Sequence, residues 1–593
     1  MISINLSDMK KIFLFVSAAS IILLGACKKS FLSVPPQGNA KTIDNFYNQA
    51  GVQLLMVGAY HDLTGIDVKS TWWGTSGTNW VYGDITSGDA YLGGSATSPP
   101  HQVSDCFNIE NYHALATTGF LDDKWTADYD GVARANAVIL AATNATDMTA
   151  AQKNEAIGEA RFLRGHFLFD AKIMWNNIPY VDEHTVNFNA LTNNANIWPQ
   201  IEADFQFGYD NMLETQPLAG QANKWTAACY LAKCYMFEQK FAQAKALLGT
   251  IMANGKNSQG IKYALTTNYH DNFDVGTENN SESVLQINFS ADDASLPNNA
   301  NLGETGTSPV GIGADVTYGY WKQPSFNLVN AFKTDANGLP LTDASGNDLS
   351  NAVNMKNDDG IASSDPFIPY QGNVDPRLDW SVGRRGVPYL DWGVDPGQSW
   401  VADQTYGGPY INIKNMFTQA EATAGFGNII NYYYYVGNSA VNYNIIRYAD
   451  VLLWAAECEV EVGSLDQARS FVNMVRARAI NGAMVPIDNS SGSPSAVYHV
   501  GLYTTPWTSQ AEARNLVRYE RRLEFSMEGH RFFDLVRWGI ADTYLNAYQA
   551  TEQTRGVGSV LNGAKFVKGK NEYFPIPEQE IILDPKLKQN PGY

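Results

Sequence analysis

Three glutamates near the C-terminus are spaced in a way that could support chemistry. Glu520, Glu524 and Glu528 recur every four residues, so a helix would place them on one face. A row of carboxylates can bind a divalent cation or supply a general acid/base pair. Arginine and phenylalanine side chains interrupt this row, which favours a buried salt-bridge network that joins helices. We expect the same of two other groups: Glu159 with Arg161 and Arg164, and Arg447 with Asp450.

The sequence lacks the motifs of the common catalytic centres. It contains no Gly-x-Ser-x-Gly, no His-Glu-x-x-His and no phosphate-cradling Gly-x-x-x-x-Gly-Lys. His530 follows a glycine and precedes an arginine, where a structural role at a helix junction is expected. No Cys-x-x-Cys pair accompanies the eight histidines, so a zinc site has little support. Residues 357–360 (Asn-Asp-Asp-Gly) leave room for calcium but are more simply a turn. We therefore predict a protein that is not an enzyme and uses no cofactor or metal.

Aromatic residues, rather than charges, dominate the chain's capacity for recognition. The 593 residues include 14 Trp and 31 Tyr, whereas 17% are charged and the formal net charge is −19. This acidic balance disfavours nucleic acid, whose binding relies on Lys and Arg. Aromatic faces can instead pack against sugar rings, while Asn, Asp, Gln or Arg bind the hydroxyl groups. Two loop-rich regions carry such residues: Trp72, Trp73, Trp80, Tyr82 and Tyr91, and then Tyr318, Tyr320, Trp321, Tyr389, Trp392, Trp400 and Tyr406.

The N-terminus has the features of a secretory signal. Two lysines precede an apolar run over residues 12–24, which is too short to span a bilayer. The run ends in Leu-Gly-Ala-Cys, which resembles the bacterial lipobox, in which the cysteine becomes the lipidated first residue. We expect residues 1–26 to be removed, Cys27 to carry acyl chains, and residues 27–42 to form a tether.

Helical periodicity dominates two parts of the chain. Apolar residues recur at helical spacing within 120–254 and 441–545. Residues 65–103 and 255–440 are instead rich in Gly, Asn, Asp, Pro and aromatics. Short β-like stretches lie at 284–288 and 431–436. We therefore expect helices interrupted by two long, loop-rich insertions, where binding function usually lies.

Two helix pairs share one internal spacing. Ala232 precedes Ala244 by 12 residues, and Ala456 precedes Ala468 by the same separation. Such small residues are typical of a tetratricopeptide (TPR) helix pair, in which alanines let two helices approach closely. A generic helical hairpin would also produce this spacing.

Motifs spread over nearly the whole mature chain resemble those of one known family. They are Arg-Ala-Asn-Ala-Val-Ile at 134–139, Glu-Ala-Arg-Phe-Leu-Arg-Gly at 159–165, Asp-Pro-Arg-Leu at 375–378, and further segments at 447–457, 473–479, 520–525, 528–539 and 589–593. In this order they resemble the SusD/RagB family, the outer-membrane nutrient-binding lipoproteins of Bacteroidetes.

The resemblance implies a mainly α fold, with a TPR-like scaffold of about four helix pairs and long loop-rich insertions that carry short strands. Residues 43–593 would form a single domain. The resemblance also implies a lipid-anchored protein of the outer membrane that faces the cell exterior and sits as a lid on a SusC-like TonB-dependent barrel. Acidic residues usually follow the lipidated cysteine in exported members, but here Lys28 and Lys29 follow it. Outward display therefore rests on the resemblance alone.

The family's ligand site lies on the two insertions. The resemblance therefore implies ligand contacts for Trp72, Trp73, Trp80, Tyr82, Tyr320 and Trp321. The expected function is capture of an oligosaccharide for import, and peptide capture of the RagB type is the alternative. A hydrolase would need an acid/base pair in these loops, and a purely structural TPR scaffold would not need their aromatic residues. The remaining aromatic runs are expected to pack on loops or scaffold: Trp380, Tyr389 and Trp392, and Tyr432 to Tyr435.

Overall fold

The computed structural model describes residues 43–65, 72–95, 104–291, 299–304, 306–312, 321–428, 438–486, 494–555, 561 and 563–593. The described helices are α1 Gln49–His61, α2 Trp72–Thr75, α3 Trp80–Gly83, α4 Ser104–Glu110, α5 Gly119–Asn144, α6 Ala150–Trp175, α7 Trp198–Asn211, α8 Lys224–Phe237, α9 Phe241–Asn254, α10 Phe326–Ala331, α11 Gln404–Gly407, α12 Gln419–Thr423, α13 Tyr448–Val462, α14 Leu465–Asn481, α15 Gln510–Glu524, α16 Arg531–Arg537, α17 Ala541–Glu552 and α18 Glu578–Leu583. The described strands are β1 Ala90–Gly93, β2 Ser283–Ile287, β3 Trp321–Pro324, β4 Asn373–Val374, β5 Val382–Gly383, β6 Ile411–Asn412, β7 Gly427–Asn428, β8 Asn438–Ser439, β9 Tyr443–Arg447 and β10 Val497–Tyr498.

The long helices form a continuous array in which each packs against the next. Helix α5 contacts α6, α6 contacts α7, α7 contacts α8, and α8 contacts α9. Helix α9 then packs on α13, across the whole second insertion, and α13 packs on α14 and α15. The four alanines that share the 12-residue spacing are fully buried. The mainly α, TPR-like prediction is therefore confirmed.

Capping residues define where several of these helices begin. The Thr149 side chain accepts from the backbone N–H of Gln152, whose own side chain accepts from Thr149 N–H, so α6 starts with a capping box. Asn223 and Thr226 make the same arrangement at α8. These interactions satisfy N–H groups that a helix leaves without an internal partner.

The insertions supply short strand pairs rather than one sheet. Strands β1 and β3 are antiparallel, with Tyr91 opposite Gln323 and Gly93 opposite Trp321. Because β1 belongs to the first insertion and β3 to the second, this pair joins the two. Strand β2 pairs with β9, which leads directly into α13. The expected strand near residue 285 is thus confirmed, while Tyr432 to Tyr435 lie outside the described residues.

A small satellite core lies within the second insertion. Tyr389 and Phe417 are buried in it, and Trp392 and Trp400 pack against it. Trp380 stacks on His270, with ring centroids 4.6 Å apart. Packing on loops, predicted for the run from Trp380 to Trp392, is therefore confirmed.

Within the described ranges, no helix is both long and apolar enough to cross a membrane. The signal segment, Cys27 and the tether lie outside these ranges.

Candidate functional site

Three tryptophans meet where the two insertions join. The Trp73 ring lies edge-on to Trp80, with centroids 5.7 Å apart, and edge-on to Trp321 at 5.4 Å. Edge-to-face pairs of this kind stabilise one another beyond simple burial. Trp73 is only partly buried, whereas Trp80 and Trp321 are 0% and 4% exposed. Trp73 is therefore the member that keeps a surface for another molecule.

The burial of Trp80 and Tyr82 corrects the sequence prediction that these two residues contact ligand. Both side chains are fully buried. The Trp80 indole N–H donates to the Gly303 carbonyl at 2.6 Å, and the Tyr82 hydroxyl lies 2.8 Å from the Gly74 carbonyl oxygen. Their polar atoms are satisfied inside the protein, so these residues pack the base of the loop.

The remaining predicted contacts differ in how far the structure describes them. Trp72 lies in α2, but its side chain is outside the described set, and Tyr320 is outside it entirely. Trp321 begins β3, and its backbone N–H donates to the Gly306 carbonyl at 3.1 Å. A Cβ on Gly306 would lie 3.2 Å from the Trp321 ring, so the glycine backbone covers this indole closely. Ligand contact by Trp72, Trp73, Tyr320 and Trp321 stays a prediction.

A buried ionic triad lies directly behind the tryptophans. Lys322, which follows Trp321, pairs with Glu304 at 2.9 Å and with Asp84 at 3.5 Å, and all three side chains are at most 3% exposed. Burial raises the pKa of Asp84 to about 7, against the opposing charge of Lys322. Lys322 also has a φ of 56°, a left-handed conformation that side chains other than glycine seldom adopt. No sequence signal connects residues so far apart in the chain, and the prediction missed this triad.

The first insertion is fastened to the C-terminal helices. Asp84 accepts from the Gly529 N–H at 2.9 Å, and Asp89 accepts from Arg522 Nε at 2.9 Å. A Cβ on Gly83 would lie 1.8 Å from the Gly529 carbonyl oxygen, so only glycine permits this approach. The segment at 528–539 thus has a positional role: it holds the aromatic loop.

The glutamate row, which lies at the end of α15 and just beyond it, is a salt-bridge network, as the sequence predicts. Each glutamate meets cations from distant segments, and all three are buried. The partners are Arg377 and Arg476 for Glu520, Arg377, Arg447 and Arg478 for Glu524, and Arg447 and Lys414 for Glu528. With every carboxylate matched by guanidinium or ammonium groups, the row supports packing rather than acid/base chemistry.

Some predicted partners within these networks are wrong. Glu159 accepts from Tyr60 and Gln221, whereas Arg161 and Arg164 bind Asp204. Arg447 meets Asp450 only through its backbone N–H, in a capping box at the start of α13. Arginines near the glutamate row also face elsewhere: Arg521 binds Asp450 and Asp534, and Arg522 binds Asp89.

His530 stands at the N-cap of α16, at the expected helix junction, although its side chain makes no capping hydrogen bond. Burial lowers its pKa to about 4, so the imidazole is neutral at physiological pH.

Within the described residues, no group of three or more His, Cys, Asp or Glu side chains could hold a metal ion.

An apolar cavity of about 1330 Å³ lies against α1 and the start of α6. Its walls carry Val52, Met56, Met148, Leu213 and Leu218. Leu213 and Leu218 are 58% and 68% exposed. Exposed apolar surface of this extent usually marks a place where another molecule binds.

The fold and the site together define a class: a helical-repeat scaffold with two long insertions that join at an aromatic cluster. The model of the SusD family matches residues 281–593, and the chain belongs to this family.

Similarity to individual relatives extends over almost the full length. The chain is 24% identical to SusD-like protein P25 of Formosa agariphila, over 95% of this chain and 96% of that protein. It is 23% identical to a SusD-like protein of Bacteroides ovatus, over 98% and 97%.

Solved structures show the same fold. A SusD superfamily protein of Bacteroides vulgatus superposes with a TM-score of 0.66 at 20% identity, covering 92% of this chain and 99% of that one. A laminarin binding SusD-like protein gives 0.57 at 21%, covering 92% and 100%. Surface glycan-binding protein A from Bacteroides thetaiotaomicron, in complex with laminarihexaose, gives 0.63 at 18%, covering 92% and 99%.

Proposed function

We propose that this protein is a cell-surface glycan-binding lipoprotein that captures an oligosaccharide for import through a SusC-like TonB-dependent transporter. It binds its ligand without cleaving it. The ligand site is the surface around Trp73, with Trp72 and Tyr320 as further contacts and the buried Trp321 as a support for the Trp73 ring.

The partly exposed Trp73 ring is the observation that carries this proposal. Two buried tryptophans hold it edge-on, so its orientation is set before a ligand arrives and little side-chain entropy is lost on binding. An indole face offers the flat apolar surface that a sugar ring's C–H groups require. The similar laminarin binding SusD-like protein, and surface glycan-binding protein A in complex with laminarihexaose, add support for a glycan.

The anchor and the partner complete the proposal. Acyl chains on Cys27 would hold the protein to the outer membrane, each buried CH₂ contributing about 0.8 kcal/mol. Residues 27–42 would then tether the single domain at 43–593 above a barrel partner. Replacement of Cys27 by Ser should release the protein from the membrane fraction, and protease added to intact cells should degrade the wild-type protein. Co-purification should recover a TonB-dependent barrel.

Peptide capture is the second candidate, and the apolar cavity against α1 favours it. Walls such as Met56 and Leu213 suit apolar peptide side chains better than sugar hydroxyls. Under this reading the wild-type protein would co-purify with peptides and bind no glycan.

Binding tests separate these candidates. We would measure the affinity of the protein for laminarin, starch, xylan, pectin and mannan oligosaccharides and for a pool of peptides. Trp73→Ala should weaken binding of the preferred glycan roughly five- to 150-fold, because a ring stacked on an aromatic side chain contributes roughly 1–3 kcal/mol.

Trp380→Ala is the matched control. Trp380 is also a partly exposed loop tryptophan, but it stacks on His270 away from the cluster. Its loss should leave glycan affinity unchanged. Equal affinity of the Trp73→Ala and wild-type proteins would reject the proposed site, and binding of peptides alone would reject the glycan.

A further inference from the structure

A second concave surface lies at the C-terminal end of α17. It encloses about 400 Å³ and is lined mainly by polar side chains, among them Asn351, Asn354, Asp359, Thr554 and Arg555. None of these residues belongs to the tryptophan cluster. The volume falls within the range of ordinary small-ligand sites.

One buried amide orients two of the lining asparagines. Asn330 is 1% exposed, and its Nδ2 donates to Asn351 Oδ1 at 3.1 Å and to Asn354 Oδ1 at 3.0 Å. Its own Oδ1 accepts from the Met355 N–H at 2.7 Å. Both lining carbonyl oxygens are therefore engaged. Asn351 Nδ2 donates to Ser350 Oγ at 3.4 Å, so the Nδ2 of Asn354 is the donor left for a ligand. Asn354 Nδ2 makes no hydrogen bond within the described part of the chain and is exposed.

A second buried chain of contacts fixes the arginine. Arg555 is 8% exposed and pairs with Glu552, which is 0% exposed and accepts a hydrogen bond from the Tyr91 hydroxyl. Arg555 Nη2 also donates to Asn351 Oδ1 at 3.4 Å. These contacts use two of the five N–H donors of a guanidinium, so donors remain for a ligand. The charge is already balanced by Glu552, which disfavours an anionic ligand.

The acceptors of the pocket complement these donors. The exposed Asp359 carboxylate accepts only, and the Thr554 hydroxyl donates to the Thr551 carbonyl at 2.7 Å, which leaves its lone pairs free. A ligand must therefore accept from Arg555 and Asn354 while it donates to Asp359 and Thr554. Adjacent hydroxyl groups do both at once.

We infer that this pocket is a second binding subsite, selective for a neutral, polyhydroxylated sugar residue. Arg555 and Asn354 donate to its hydroxyl oxygens, and Asp359 and Thr554 accept from its hydroxyl groups. Buried Asn330, Glu552 and Tyr91 hold this arrangement before the ligand arrives, which is how binding sites reduce their ordering cost.

A short stretch of chain connects the pocket to the tryptophan cluster. Phe326 lines the pocket and follows Trp321 by five residues, so their Cα atoms are at most about 18 Å apart. This inference rests on the proposed glycan function. The aromatic site would hold one part of the chain by stacking, and this pocket another part by hydrogen bonds.

Asn354→Asp tests the subsite with little risk to folding. The variant keeps the oxygen that Asn330 needs but loses the free N–H₂ donor. Titration calorimetry with the preferred glycan of the panel should show roughly five- to tenfold weaker binding, the effect of one lost hydrogen bond and its unpaired partner. Arg555→Lys, which removes guanidinium donors and keeps the charge, should weaken binding to a similar extent.

Asn144→Asp is the control. Asn144 is an exposed asparagine at the end of α5. Asn144→Asp therefore introduces the same negative charge at a position outside the pocket. Unchanged affinity in both pocket variants, with loss in Trp73→Ala, would overturn the subsite and leave the proposed function standing. Loss in the pocket variants alone would move the glycan site to this pocket and reject the tryptophan site. Failure of the wild-type protein to bind any neutral glycan would overturn both.

Discussion

The guanidinium of Arg377 donates to Glu524 Oε2 at 2.8 Å, and both side chains are fully buried. The two residues are 147 positions apart, so the contact ties the second insertion to the end of α15. Burial would raise the pKa of Glu524, but Arg478, Arg447 and Arg377 together hold it well below its usual value. The carboxylate is therefore charged in the folded protein and matched by three cations.

Removal of this carboxylate should be costly. Glu524→Ala leaves buried guanidinium groups without their partner and should lower the free energy of unfolding by about 3–5 kcal/mol in urea denaturation. Glu214→Ala is the control, because Glu214 pairs with Lys256 at the surface, where the side chains are 51% and 30% exposed. Solvent screens such an exposed pair, so its loss should change the free energy of unfolding only slightly. Similar losses in both variants would contradict the structural role of the network.

Trp80 should separate stability from ligand binding. Trp80→Ala removes a fully buried indole and its hydrogen bond to Gly303, so it should cost about 3–5 kcal/mol in thermal or urea unfolding. Trp73→Ala removes a partly exposed ring and should cost clearly less. If Trp73→Ala destabilised the protein as much as Trp80→Ala, Trp73 would be a core residue rather than a ligand platform.

Because Gly83 packs directly against Gly529, we expect position 83 to require glycine. Gly83→Ala would place Cβ 1.8 Å from the Gly529 carbonyl oxygen, so the backbone must shift and stability should fall by at least about 1–3 kcal/mol. Gly249 lies in α9 with nothing within 4 Å of its ideal Cβ. Gly249→Ala should therefore stabilise the protein by about 0.5–1 kcal/mol, because alanine favours the helix. Melting temperatures that shift in the same direction would refute this contrast.

Glu110 should make stability depend on pH. Burial raises its pKa to about 8, although the Leu92 N–H donates to it at 2.8 Å. In the unfolded chain a glutamate titrates near its ordinary value of 4.5. Between these two values the folded state binds the extra proton, so this group's contribution to stability falls as pH rises toward 8.

Glu110→Gln keeps an acceptor for Leu92 and cannot ionise. Relative to this variant, the wild-type protein should lose stability between pH 5 and pH 8.5 in urea denaturation. Parallel pH profiles for the two proteins would show that Glu110 does not titrate as its burial requires.

The spacing of residues along the sequence predicted those structural features that depend on near neighbours in the chain. The alanine pairs on α8/α9 and α13/α14 indicated close helix contacts, and the glutamate row indicated a salt-bridge network. The cations that Glu524 meets come from three distant segments, and no local pattern could name them. The same holds for Asn330, whose two acceptors, Asn351 and Asn354, follow it by 21 and 24 residues.

The burial of Trp80 and Tyr82 was the main departure from the sequence prediction, and it has a physical reason. Aromatic residues in a Gly- and Asp-rich segment indicate an exposed surface when the segment is read alone. Here the segment turns inward, because Asp84 and Asp89 bind Gly529 and Arg522 and draw Trp80 and Tyr82 into the interior. A sequence without its tertiary partners does not reveal that direction.

The fastening of the first insertion to the C-terminal helices limits how this recognition surface can be exchanged between relatives. A chimera that transplants residues 72–95 alone would carry Asp84 and Asp89 into a host whose matching positions need not fit them. Transfer of residues 521–539 and 302–325 in the same step would supply Arg522, the Gly529 approach and Lys322. Under the proposed function, a change of ligand specificity between relatives therefore requires three separated stretches of sequence to change together.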